Sequence, residues 1–154
     1  MQTNRQAEQT AQVLGDWRIA CDHVSTESVF LSQQASELEY LLAALVAPTD
    51  AARVRAALAT ELLGRNLGEL LASRDDLTRW EAELALIAQL RQRWTVDGPY
   101  AALTACVRQA AARLLPRWDG PRCVTNFLHL AELLQGESLR RSAPGDLLHW
   151  LGQR

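Results

Sequence analysis

Ser73-Arg74-Asp75-Asp76-Leu77-Thr78-Arg79-Trp80-Glu81-Ala82-Glu83-Leu84-Ala85-Leu86-Ile87-Ala88-Gln89-Leu90-Arg91-Gln92-Arg93-Trp94 is the stretch on which the reading of the fold turns. Leu77, Trp80, Leu84, Ile87, Leu90 and Trp94 recur three or four residues apart, which gathers them on one face of a helix. Ser73 to Asp76 resembles a capping box at its start, and Asp97-Gly98-Pro99 is a stop signal.

The same period extends in both directions. Downstream, Leu103, Val107, Ala110 and Leu114 predict a helix ending near Pro116, and Trp118-Asp119-Gly120-Pro121 a turn. Thr125 then caps a helix through Phe127, Leu130, Leu133 and Leu134, and Pro144 opens a last one carrying Leu147, Leu148 and Leu151. Upstream, Ser32 is the cap for a stripe of Leu38, Leu41, Leu42 and Leu45. Pro48 breaks the chain, and Thr49 caps a helix with Val54, Leu58 and Leu62. Gly64 to Gly68 reads as a turn, followed by a short apolar piece around Leu67, Leu70 and Leu71. Asn4 to Leu14 predicts a short helix, and Trp17 to Val24, with Trp17, Ile19 and Cys21 on one side, a short strand. A lone strand leaves its backbone donors and acceptors unpaired, so it calls for a sheet from elsewhere. The sum is a mostly α chain, an irregular bundle of about seven helices with one short N-terminal strand. No period of 20–50 residues repeats, which argues against a solenoid.

Composition narrows the function. The 154 residues suit one domain, or one small domain with a piece of another, and the 48% hydrophobic content is ordinary for a globular chain. The net charge of -2 argues against a free-standing nucleic-acid binder. That total hides a gradient: residues 1–50 hold 2 Arg against 7 acids, and residues 101–154 hold 7 Arg against 4. The C-terminal third is the better face for phosphates or an acidic partner, although an ordinary solvated helix surface explains it too. All 16 basic residues are Arg, which excludes lysine-dependent chemistry. Cys21, Cys106 and Cys123 form no CxxC pair and are odd in number, which fits a reducing cytoplasm. No run approaches the roughly 18 apolar residues of a membrane span.

The candidates for chemistry are sparse. His129 and Glu132 share a helix face, but a metal needs further ligands and only His149 is at hand. Cys21-Asp22-His23 collects catalytic residue types, yet neighbours on a strand point to opposite faces. Asp75, Asp76, Glu81 and Glu83 are first-turn residues favoured by the helix dipole. No Gly-rich phosphate loop occurs. Of five tryptophans, Trp80 and Trp94 belong to the core stripe. Trp118 and Trp150 flank Arg117, Arg122 and Arg154, so they either stack on unpaired bases or, more simply, seal a bundle end. No catalytic centre is expected in this chain alone.

One family accounts for the pattern. Asp119-Gly120-Pro121-Arg122-Cys123-Val124-Thr125-Asn126-Phe127-Leu128-His129-Leu130-Ala131-Glu132-Leu133-Leu134-Gln135 resembles the G-E-R-R-L-T-N-L-L-H-L-A-E-L-L-Q stretch of RecB-type helicase–nucleases, within the UvrD-like helicase family. Ser28-Val29-Phe30 with Glu37-Leu38, Arg55 to Gly64, Arg91 to Trp94 with Gly98, and Asp146 to Leu151 resemble further segments in the same order. Thr3 to Glu8 resembles the family's R-x-N start after a strand. The family's second arginine is Cys123 here, and Pro121 replaces an acid. The resemblance implies that residues 1–31 are a remnant of the second RecA-like motor domain and 32–154 the helical accessory subdomain inserted in it. It implies a parent that uses ATP and Mg to unwind broken DNA for recombinational repair, none of whose cofactor motifs lie in this chain. DNA and the partner subunits of a RecBCD-like complex would be its contacts, with no membrane. Arg91, Arg93, Arg117, Arg122, Arg140 and Arg141 are the expected backbone contacts. A protein–protein docking module without DNA contact is the alternative.

Overall fold

The computed structural model describes residues 29–141 and 143–154. A single 3-10 turn, Val29–Leu31, leads into six α-helices among the described residues: α1 (Gln33–Val46), α2 (Ala51–Leu58), α3 (Leu67–Asp75), α4 (Leu77–Leu114), α5 (Gly120–Ser138) and α6 (Pro144–Leu151). No strand occurs among them. The expected helix of residues 4–14 and strand of residues 17–24 lie outside the described residues.

Each helix begins where a backbone-accepting side chain or a proline allows it. Ser32 caps α1 by accepting from the Ala35 N–H, as its position predicts. Asp50, not Thr49, caps α2, because its carboxylate reaches the N–H groups of both Ala52 and Arg53. The apolar piece after Gly64 is a full helix: Asn66 and Glu69 form a reciprocal capping box at the start of α3. The box expected at Ser73 is absent. Ser73 donates instead to the Leu70 carbonyl, and Asp76 alone caps α4 by accepting from the Arg79 N–H. Thr125 is no cap; it lies within α5 and donates to the Pro121 carbonyl, while Pro121 sits in the first turn.

The two helices expected on either side of Asp97-Gly98-Pro99 abut at a kink. Helical geometry stops at Gly98, as the sequence predicts. Gly98 adopts φ 88° and ψ 169°, and helix resumes at once, so two expected helices form one bent 38-residue element. Backbone of this kind is essentially restricted to glycine. A Cβ on Gly98 would lie 2.7 Å from Gln135 Oε1 of α5, and that same oxygen accepts from the Tyr100 N–H at 3.1 Å. The glutamine thus satisfies an amide that the bend sets free.

The core lies between α1, α2, α5, α6 and the second limb of α4. Leu38, Leu41, Leu42 and Leu45 meet Val54, Leu58, Leu103, Leu114, Phe127, Leu130, Leu134 and Leu147. Burying each such side chain contributes about 1.5–3 kcal/mol. α4 packs most extensively on α5, and α1 on α2 and α6. The first limb of α4 buries only Ile87, Leu90 and Trp94, and α3 only Ser73. This arm is tied to the body by polar links: Arg65 Nε donates to Glu83 Oε1 at 2.7 Å, and the Arg55 guanidinium lies 4.6 Å over the Trp80 ring.

Candidate nucleic-acid interface

The six arginines expected at a phosphate backbone divide by their partners. Arg93 pairs with Asp97, and Arg140 and Arg141 both turn to Glu137. Arg117 donates to both Asp119 oxygens, at 3.0 and 2.8 Å, and also to Glu61. These contacts raise the Arg117 pKa and lower that of Asp119. Among the described residues Arg91 and Arg122 have no carboxylate partner, and both are exposed. The fold does not gather the six onto one patch by any direct contact among them. It leaves two as ready phosphate donors and engages four in ion pairs, of which that of Arg117 with Asp119 and Glu61 is the most extensive.

Arg117 also belongs to a polar layer that sequence reading missed. Glu37 of α1 is buried; its Oε2 accepts from the Glu61 N–H at 2.9 Å and its Oε1 from Gln33 at 2.9 Å. Burial, with the Glu61 carboxylate nearby, pushes the Glu37 pKa up, against the pull of those hydrogen bonds. Its protonated form therefore fits the fold better. That contribution is complete below the ordinary value of 4.5 and fades as pH rises through the folded-state pKa. Beside it Gln34 accepts from Asn126 at 2.9 Å and donates to the Cys123 sulfur at 3.4 Å. Arg113 donates to the Glu61 and Leu62 carbonyls. The layer joins α1, the loop after α2, and the start of α5. Its signal in the sequence is only the polar residue inside an apolar stripe, as at Gln34 and Glu37.

The two tryptophans expected beside arginines part company. Trp150 seals the bundle: it is buried, meets the Phe30 ring edge-on at 5.6 Å, and is covered by Arg154. Trp118, on the turn between α4 and α5, is 97% exposed, so the simpler reading of it as a seal is wrong.

Nothing resembling an active site assembles among the described residues. His129 and Glu132 are both exposed on α5, and His149 bonds Gln153 at 2.7 Å. No group of three or more metal-binding side chains forms. A cleft of about 370 Å³ opens inside the bend of α4, lined by Leu63, Leu90, Arg93, Val96, Cys106 and Gln109. Burial pushes the Cys106 thiol up to about 11, which leaves it a poor nucleophile at neutral pH. No described helix is long and apolar enough to cross a membrane.

No protein-family model matches the chain. Among curated proteins it is similar to the RecBCD enzyme subunit RecB of Escherichia coli, 32% identical over 129 residues, covering 82% of this chain and 11% of that subunit. It is also similar to the RecBCD enzyme subunit RecB of Haemophilus influenzae, 32% identical over 125 residues, covering 80% of this chain and 10% of the subunit. The likeness inferred from scattered motifs thus holds over most of the sequence, and this chain is RecB-like, corresponding to about a tenth of a RecB subunit.

Proposed function

We propose that this chain is a non-catalytic accessory region of a RecB-like, ATP-dependent helicase and exodeoxyribonuclease V acting in double-strand break repair and recombination in the cytoplasm. Residues 1–31 would be the remnant of the second motor domain, and residues 32–154 the helical insertion that packs on it and touches DNA. The observation that carries this reading is the 32% identity to RecB over four-fifths of the chain. The helical fold of the described residues and the positive balance of the C-terminal third support it. ATP and Mg would act in the parent's motor; the described residues hold no cluster fit to bind a metal, and no step through either group is assigned here.

Arg91, Arg93, Arg117, Arg122, Arg140 and Arg141 are the proposed backbone contacts, with Arg91 and Arg122 leading because no carboxylate competes for them among the described residues. Each phosphate neutralised on duplex DNA steepens the fall of log affinity with log salt by about 0.9. Filter binding of a duplex across a salt series tests this: the expected result is salt-sensitive binding, and R91Q with R122Q together should flatten the slope by roughly 2. Absence of binding at low salt would leave the chain a structural piece.

A second reading, a docking module for partner subunits of a RecBCD-like complex, draws on the arm. Leu67, Leu71 and Leu77 are 72%, 52% and 71% exposed there, more apolar surface than a finished face needs. Self-association that salt does not weaken would favour it.

A further inference from the structure

We infer that the α4–α5 turn is a stacking platform for an unpaired base of a DNA strand, with Trp118 offering the ring and Arg122 the phosphate contact. This rests on the DNA-contact reading above and specifies what part of DNA the turn takes. Among the described tryptophans, Trp94 and Trp150 are buried and Trp80 is half-buried under a guanidinium, whereas Trp118 stands wholly in water.

The indole is mounted on a turn that is fixed on both sides. Arg117 and Asp119, its immediate neighbours, are joined by the two-point ion pair, and Arg117 is anchored again on Glu61 of the α2–α3 loop. The Arg117 N–H donates to the Leu114 carbonyl at 3.0 Å and the Gly120 N–H to the Arg117 carbonyl at 3.1 Å. Gly120 is pressed so closely on the end of α4 that a Cβ would lie 2.0 Å from the Leu114 carbonyl oxygen. A turn held by five such constraints loses little freedom when it binds, which is the condition under which one exposed ring is effective.

The chemistry around the ring selects the ligand. Every base has a π face, so a lone indole accepts any of them. Arg117 is occupied by two carboxylates, while Arg122, four residues beyond Trp118, is exposed and has no carboxylate partner among the described residues. A flat ring with one uncommitted guanidinium matches one nucleotide: base on ring, phosphate on arginine.

The test is a fluorescence titration of the full 154-residue chain with a short oligo(dT) at low salt, run beside a blunt duplex. Oligo(dT) is expected to quench part of the tryptophan emission. W118A should remove that quench and weaken oligo(dT) binding about tenfold, with the thermal melt unchanged. W118F should recover part of the affinity, and R122Q should lower the salt slope by about 0.7. If W118A binds oligo(dT) like the parent chain while duplex binding stays salt-sensitive, stacking is overturned and the backbone reading stands. If neither DNA binds at any salt, both are overturned. If W118A abolishes self-association and leaves oligo(dT) affinity intact, the ring serves a protein partner and the inference is overturned.

Discussion

In α1 the leucines at 38, 41, 42 and 45 are almost wholly withdrawn from water, while in α3 Leu67 and Leu71 stand mostly or half in it. Both helices begin with a well-formed side-chain cap, but only α1 carries a pronounced apolar face. They differ also in what each meets. α1 is enclosed by α2, α6, α5 and the second limb of α4; α3 meets chiefly the first limb of α4. Capping fixes local conformation in both helices, but α1 converts its apolar side chains into core and α3 does not. The arm is held by the buried Ile87, Leu90 and Trp94 of the first limb of α4, with one ion pair and one cation–π contact worth a few tenths to about 1 kcal/mol each.

The contrast makes graded predictions. Leu42→Ala removes a fully buried side chain from the centre of the body and should cost about 2–5 kcal/mol in urea denaturation. A cost under about 1 kcal/mol would mean that the body is not the source of stability. Gly98→Ala attacks the joint between the regions. It forces a side chain into glycine-only backbone and crowds Gln135 off the Tyr100 amide, so about 1–3 kcal/mol is expected by the same assay. Full tolerance of alanine would show that the arm does not hold the bend seen here. Leu71→Ser on the arm should change stability by no more than about 0.5 kcal/mol. Sedimentation of the same variant sharpens the comparison: reduced self-association would assign that exposed face to a partner. A loss matching Leu42→Ala would erase the distinction between the regions.

Much of this was legible in the sequence, and the failures share a cause. The leucine stripes of α1, α2 and α5, the Ser32 cap of α1 and the proline opening of α6 follow from spacing and side-chain chemistry that are local, whereas the caps expected at Thr49 and Thr125 are not the ones used. Asn66-x-x-Glu69 carries a capping-box signal, but Gly64 before it and Gly68 within it give the same stretch the look of a turn. Asp97-Gly98-Pro99 states only that the backbone leaves helical geometry. The helix beyond it is legible from Leu103, Val107, Ala110 and Leu114, but that the two helices abut without a loop depends on the contact of Gly98 and Tyr100 with Gln135, which is tertiary. The candidate interface fared similarly. Composition and the family resemblance marked the arginines, but the Glu61 carboxylate that Arg117 also reaches and the Glu61 carbonyl that Arg113 reaches lie more than fifty residues away in the chain. Nor can a sequence tell Trp118 from Trp150: each stands near an arginine, and only the packed structure shows that one is covered and the other bare.

The bend at Gly98 also divides the electrostatics of the longest helix. An unbroken α4 would place its positive pole near Leu77 and its negative pole near Leu114. Interrupting the ladder creates a second pair of poles mid-molecule, negative where the first limb ends and positive at Tyr100. The end of the first limb holds Arg93 against Asp97, while the Tyr100 amide receives only the neutral Gln135 side chain. A carboxylate in that place would cancel the second pole. An amide satisfies the hydrogen bond without adding charge, so the second pole is balanced only by the carbonyl end of the first limb beside it, and the kink carries a local dipole that a count of charged residues does not show.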